Sequence, residues 1–165
     1  MKRDILLQLK DYSHTIFEDK YEQNPTGEGE YPVWRREGAG YWINPMMEEL
    51  YEAREVEPVF FDSELEQKTA FLVLNSSLYY VYWMTYGNQH HHNWTQLSAF
   101  PWPDESVVEE YEDEIVELAD ALWSRMKDGF SGSSFRMTAL RPIIDDVDVL
   151  IGELYDLTDE QVEFT

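Results

Sequence analysis

Three consecutive histidines stand in a polar loop, where their side chains suit either metal binding or contact with another molecule. They are His90, His91 and His92. Successive side chains of an extended segment point to opposite sides, so only His90 and His92 are placed to share one metal ion. His14 or carboxylates elsewhere would have to supply the remaining ligands. A surface loop is the simpler interpretation, and a metal site is an alternative to it.

The histidine loop belongs to a segment that carries almost no charge. Residues 67–103 contain no Asp or Glu, although the chain has 34 of them, and Lys68 is the only Lys or Arg there. Residues 31–47 and 129–144 are also poor in acids and carry arginines. Because phosphates repel carboxylates, an acidic protein that binds DNA needs a surface cleared of acids. These three acid-poor windows therefore predict either buried core or a surface kept for DNA.

The polar side chains of the windows are the candidates for contact with double-stranded DNA. Arginine and lysine bind phosphates, and arginine also reads guanine with two hydrogen bonds. Asparagine and glutamine read adenine in a similar way. The predicted contacts of this kind are Arg35, Arg36, Lys68, Asn88, Gln89, Asn93, Gln96, Arg136 and Arg141.

Three motifs in a fixed order give a resemblance to a known family. The first is Tyr31-Pro32-Val33-Trp34-Arg35-Arg36-Glu37-Gly38-Ala39-Gly40-Tyr41-Trp42, and the second is Leu74-Asn75-Ser76-Ser77-Leu78, closed by Phe100-Pro101-Trp102-Pro103. The third runs from Arg141-Pro142-Ile143-Ile144-Asp145-Asp146-Val147-Asp148 to Leu157-Thr158-Asp159-Glu160-Gln161-Val162-Glu163-Phe164. Together, over about residues 31–164, they resemble the C-terminal target-recognition (TaqI-like specificity) region of N-6 adenine-specific DNA methyltransferases and type IIG restriction-modification enzymes.

The resemblance implies a domain that positions a specific duplex site for a methyltransferase or nuclease carried on the rest of the polypeptide. It also implies that the loop after the aromatic helix faces DNA, which adds His90, His91 and His92 to the predicted DNA-binding residues. S-adenosylmethionine is implied for the missing catalytic part, and no cofactor is expected in this chain. Two departures stand out: histidines replace the usual basic residues, and Asp156 replaces a glycine.

Catalytic motifs of such enzymes do not occur in this sequence. Adenine methylation needs a glycine-rich cofactor turn and an Asn-Pro-Pro-aromatic loop for the flipped base. Asn44-Pro45-Met46-Met47 lacks the second proline and the aromatic residue. There is also no nucleophile elbow, phosphate-binding loop or zinc-protease motif. We therefore predict no catalytic residue and expect the chain to be the non-catalytic part of an enzyme.

Composition indicates one acidic globular domain. The formal net charge is -22, while 43% of the residues are hydrophobic, which argues against disorder. An acid-rich surface around an aromatic core is typical of a halophilic protein, because high salt screens the self-repulsion. The N-terminus lacks the apolar run of a signal peptide, so we expect a cytoplasmic protein. The absence of cysteine does not indicate a redox compartment. The uncharged window is long enough to cross a membrane, but its polar centre favours a buried helix pair.

Periodicity and turn residues predict an α+β fold that is mostly helical, with a small antiparallel hairpin or sheet. The hairpin is expected over 31–36 and 41–45, with glycines at the turn and Arg35 and Arg36 at its tip. A short strand is expected at 58–61. Helices are expected at 5–17, 48–55, 64–86 with a break at Asn75-Ser76-Ser77, 106–127 and 138–155, with one more turn starting at Thr158.

Two other classes of function stay open at this point. The net charge alone suits an acidic protein-interaction module, in the extreme a DNA mimic whose carboxylates imitate phosphates. The histidines alone suit a small metal-dependent hydrolase. The resemblance and the acid-poor windows favour DNA recognition over both.

Overall fold

Eight α-helices and a three-stranded sheet make up the part of the chain that the computed structural model describes, residues 1–12, 15–22, 29–38, 42–51, 55–88, 90–132 and 134–165. The strands are β1 (Tyr21–Glu22), β2 (Tyr31–Arg36) and β3 (Val56–Phe61). The helices are α1 (Lys2–Tyr12), α2 (Glu64–Asn75), α3 (Ser77–Tyr86), α4 (Trp94–Ser98), α5 (Glu105–Glu110), α6 (Glu112–Asp128), α7 (Met137–Leu154) and α8 (Asp159–Phe164). The predicted α+β class, mostly helical with a small antiparallel sheet, is confirmed.

The sheet differs from the predicted hairpin. β3 lies in the middle and pairs antiparallel with both β1 and β2. The expected partner of β2, residues 41–45, forms no strand over its described part, residues 42–45. The next residue, Met46, forms a bridge to β2, in which Trp34 and Met46 exchange two backbone hydrogen bonds. The prediction failed because β2 pairs along its whole length with the strand at 56–61, a distant partner that local turn signals do not reveal.

The predicted break between α2 and α3 is confirmed, and its chemistry is clear. Ser76 has extended backbone angles, and its hydroxyl accepts a hydrogen bond from the Tyr79 amide. The neighbouring amide of Ser77 donates to Oδ1 of Asp148 on α7 at 2.7 Å. Helix starts leave amides without intrahelical partners. At the buried start of α3, the Tyr79 amide is therefore paired with a local hydroxyl and the Ser77 amide with a distant carboxylate.

Several helices begin where the sequence predicts, and others begin or end at different residues. Ser63 caps α2, and Thr158 forms a capping box with Gln161 where the predicted last turn, α8, begins. The expected helix at 106–127 is two helices, because the chain turns at Tyr111 between α5 and α6. The expected helix at 5–17 ends at Tyr12, and residues 48–51 of the expected helix at 48–55 are not helical.

The core lies where α2 crosses between the sheet and the antiparallel pair α6 and α7. At the other end of α7, Tyr155 donates a hydrogen bond to the carbonyl of Pro101, and Gln161 of α8 donates to Gln8 of α1. These contacts fix the segment that follows α3 against the C-terminal helices. None of the helices in the described ranges has the length and apolar character needed to cross a membrane.

Replacing Asp148 by Ala should lower the free energy of unfolding by about 1 to 3 kcal/mol, because the buried Ser77 amide loses its acceptor. The matched control is Asp146→Ala, an exposed acid on the same helix, which should change stability by less than about 0.5 kcal/mol. Urea unfolding of both variants measures the difference. If the two substitutions lowered the free energy of unfolding equally, Asp148 would not be the helix cap.

Candidate nucleic-acid interface

Two of the three acid-poor windows come together beside α3. The indole ring of Trp42 stacks on the ring of Tyr80, with 4.8 Å between centroids. Gly38 forms an isolated bridge with His91, and the carbonyl of His91 accepts a hydrogen bond from Nε1 of Trp83 at 3.2 Å. The end of β2 and the histidine loop are therefore neighbours in space.

The third window packs, through a row of aromatic rings, against Tyr51, four residues beyond the end of the first window. Tyr51 stacks on Phe130, with 5.6 Å between centroids, and Phe130 packs against Phe135 at 5.1 Å. Residues 42–51 thus run from α3 to the loop that precedes α7. We call the acid-poor surface the side chains of residues 42–47, 80–88, 90–93, 130–132 and 134–141 that are not buried, a set without any Asp or Glu. Acids border it, since Glu48 pairs with Lys127 and Glu55 lies near Arg36.

Arg35 does not lie on this surface, so its predicted role in DNA contact is corrected. The side chain points inward and the residue is only 2% exposed. Its guanidinium donates to Glu57 at 3.0 Å and to the carbonyl of His92, and it lies 3.6 Å from the ring centroid of Trp94. Burial lowers the pKa of Arg35, and the charge of Glu57 opposes that shift. Its sequence neighbour Arg36 points outward, as the alternation of a strand requires.

Lys68 is also turned away from DNA, which corrects its predicted role. The residue is buried, and its ammonium group lies 2.8 Å from both Glu64 and Asp120. Desolvation lowers the pKa of Lys68, but the bonds and charges of Asp120 and Glu64 outweigh it and raise the pKa overall. The ammonium group therefore ties α2 to α6.

His92 is the third predicted contact that the structure places inside. It is fully buried, and its Nε2 shares a hydrogen bond of 2.5 Å with the hydroxyl of Tyr79. Burial lowers the pKa of His92 to about 3, with a further contribution from the charge of Arg35. Within the described residues its Nδ1 has no hydrogen-bond partner. A neutral, buried ring anchors the loop and cannot contact a duplex.

The remaining predicted residues occupy or border the surface. His90, His91 and Asn88 are exposed, and Oδ1 of Asn88 accepts hydrogen bonds from the amides of His90 and His91 at 3.1 and 2.7 Å. Arg136 and Arg141 are exposed, and Arg141 pairs with Asp145 at 2.8 Å. Asn93 and Gln96 are half-buried at α4, where Asn93 is the N-cap residue. Gln89 lies outside the described residues.

Sequence reasoning missed the aromatic side chains that hold the interface in place. Trp42 and Tyr80 stack across 38 positions of sequence, and Trp94 covers the Arg35 guanidinium. The only available signal was compositional, since the windows at 31–47 and 67–103 are rich in aromatic residues. No spacing rule links residues that meet only in the folded chain.

The structure gives no geometry for a metal site in the ranges it describes. No group of three or more His, Asp or Glu side chains there is placed to hold an ion. His92 points into the core while His90 is exposed, so the two rings that alternate spacing would pair do not share a face. His14 lies outside the described residues.

A scan of the sequence against protein-family models gives no match, and a search of curated proteins finds no similar one. The resemblance stated above therefore rests on its three ordered motifs.

Arg35→Ala should lower the free energy of unfolding by about 2 to 4 kcal/mol, because charge-assisted hydrogen bonds and the packing on Trp94 are lost. The adjacent variant Arg36→Ala, whose side chain is outside, should change it by less than about 0.5 kcal/mol. Denaturant unfolding compares the pair. A small effect of Arg35→Ala would contradict its role as an internal anchor.

The stability of the protein should fall in acid partly through His92. Its pKa is about 3 in the folded chain against an ordinary 6.5. The unfolded state therefore binds one more proton between these values, and stability that is complete above pH 6.5 is lost as the pH falls toward 3. Compared with His92→Gln, the wild type should lose about 2 to 3 kcal/mol more between pH 6.5 and 4.5. Urea unfolding at a series of pH values measures this difference. If the free energies of unfolding of the two proteins fell equally between pH 6.5 and 4.5, a buried neutral His92 would be excluded.

Proposed function

We propose that this chain is the DNA target-recognition domain of a restriction-modification N-6 adenine DNA methyltransferase. The observation that carries the proposal is that the end of the first acid-poor window and the histidine loop of the second meet beside α3, while the third window packs against Tyr51, four residues after the first window ends. These windows contain the first two motifs that resemble the family and the first four residues of the third, 141–144. The methyltransferase or nuclease part of the same enzyme would supply S-adenosylmethionine binding and the catalytic residues, which this chain lacks.

Phosphate contacts in this proposal fall to the exposed arginines. Arg136 and Arg141 lie where α7 begins, and Arg36 lies at the border formed by β2. The pair between Arg141 and Asp145 is exposed on both sides, with side chains 67% and 55% accessible. Exposed pairs contribute little stability, so Arg141 is able to leave Asp145 for a phosphate at little cost.

Base contacts in this proposal fall to the histidine loop. His90, His91 and Asn88 present donors and acceptors on a loop whose backbone is fixed by Trp83 and by the buried His92. Polar side chains on a loop held by a rigid scaffold are the usual arrangement for specific recognition. Asn and His side chains make hydrogen bonds to base edges in the major groove.

The large negative charge sets the conditions under which binding is expected. A net charge of -22 repels DNA at long range, and salt screens that repulsion within about 8 to 10 Å. Salt also weakens the arginine–phosphate contacts themselves, because the release of counterions condensed on DNA gains less entropy when the bulk salt concentration is higher. Salt therefore has two opposite effects on the affinity for DNA. Binding should be measured over a series of salt concentrations, starting from physiological values.

Arg136→Ala and Arg141→Ala should each weaken binding to a mixed-sequence duplex and reduce the slope of log affinity against log salt by about 1. Fluorescence anisotropy of a labelled duplex measures both quantities. The control is Arg3→Ala, an exposed arginine on α1 outside the three windows, which should leave the slope unchanged. Absence of duplex binding at every salt concentration would contradict the proposal.

A second candidate is the acidic interaction module or DNA mimic, which the exposed acids of α5 and α6 favour. Glu105, Glu109, Glu112, Asp113 and Glu117 are all exposed along these two helices. A mimic would bind no duplex and would compete with DNA for a DNA-binding protein. The anisotropy experiment therefore separates the two candidates directly.

A further inference from the structure

An open groove runs between α6 and α7 on the acid-rich side of the molecule. Its floor is apolar and consists of Leu118, Ala121, Ile143, Val149 and Leu150. The groove has a volume of about 490 Å³. Val149 is 60% exposed, which is unusual for a valine in the middle of a long helix that otherwise buries its apolar residues.

Carboxylates surround this apolar floor. Glu114 and Glu117 of α6 face Asp146 and Glu153 of α7 across it, and Arg125 is the one cation among the described residues that line it. The charge of Glu153, with burial and the charges of Glu110 and Glu114, raises the pKa of Tyr111 at one end. That shift reports a negative potential in the groove.

The groove continues beyond α7 toward α8. Val149 and Glu153 also line a second depression with Leu157, Val162 and Glu163. From Ile143 to Glu153, α7 presents about 15 Å of this floor, at about 1.5 Å per residue. That length matches roughly three turns of a second helix laid along the groove.

We propose that this groove binds a basic amphipathic helix of another protein. An apolar stripe with helical spacing would cover Leu118, Val149 and Leu150, and flanking Lys or Arg residues would meet the four carboxylates of the rim. Helix-in-groove recognition uses this combination of apolar anchors and complementary charge. The groove shares no lining residue with the acid-poor surface, so this interaction is independent of DNA binding.

The probe is a fluorescein-labelled 18-residue peptide of Leu and Lys arranged with one apolar face. Its control is a peptide of the same composition with the amphipathic order scrambled. The amphipathic peptide should bind at least about tenfold more tightly than the scrambled one. Val149→Asp should weaken that binding about tenfold, although the new carboxylate would strengthen a purely Coulombic attraction. Circular dichroism confirms that the variant keeps its helices, as expected for an exposed position.

Charge reversal distinguishes peptide binding in the groove from a non-specific attraction of the basic peptide to the acidic protein. Glu117→Lys with Asp146→Lys should weaken the amphipathic peptide by about tenfold or more. Asp11→Lys with Glu18→Lys, two exposed acids outside the groove, makes the same change in net charge and should have less than about a twofold effect. Equal losses for both pairs, or equal binding of both peptides, would overturn the proposal. Light scattering that shows a dimer which Val149→Asp converts to a monomer would also overturn it, in favour of a second copy of this chain.

Discussion

The guanidinium group of Arg35 holds together parts of the chain that would otherwise be unrelated. It joins β2, which carries it, to Glu57 of β3, to the backbone of the histidine loop and to the ring of Trp94 on α4. A buried cation is stable only when its donors find acceptors and its plane finds a partner. Because His92 is drawn inward at this point, His90 and His91 are left outside. The position of the candidate DNA-reading loop thus follows from one internal contact.

Scarcity of cations explains how such an acidic protein arranges its surface. Several of its 12 Lys and Arg residues serve as internal ties: Lys20 reaches Glu66 and Glu105, Lys68 reaches Glu64 and Asp120, and Arg35 reaches Glu57. Within the described ranges, Asp148 is buried without a paired cation and accepts a hydrogen bond from the Ser77 amide instead, while many other carboxylates lie outside, especially on α5 and α6. The acid-poor surface is then the place where aromatic packing, instead of charge, joins the segments. This division underlies both proposals: phosphates are proposed to contact the acid-poor surface, and a basic helix is proposed to bind the acid-rimmed groove.

The sequence predicted those features of the fold that depend on interactions between residues close together in the chain. The break at Asn75-Ser76-Ser77, the strand at Pro58 and the capping box at Thr158 depend on neighbours within a few residues, and each is confirmed. The hairpin was wrong because the pairing of β2 is decided by β3, which lies 20 residues further on. Arg35, Lys68 and His92 were assigned to the surface because their internal partners, Glu57, Asp120 and Tyr79, are distant in sequence. Residue type alone did not distinguish Arg35 from Arg36, although strand alternation makes one of each such pair point inward.

The central claim is that DNA approaches the side of the molecule where the three windows meet. Amide hydrogen exchange, measured with and without an excess of a mixed-sequence duplex, tests it without any substitution. The account predicts slower exchange in residues 42–51, 80–93 and 129–141 and unchanged exchange in the acidic first half of α6. Slower exchange confined to α6 and to the part of α7 after residue 141, or no change anywhere in the presence of duplex, would contradict it.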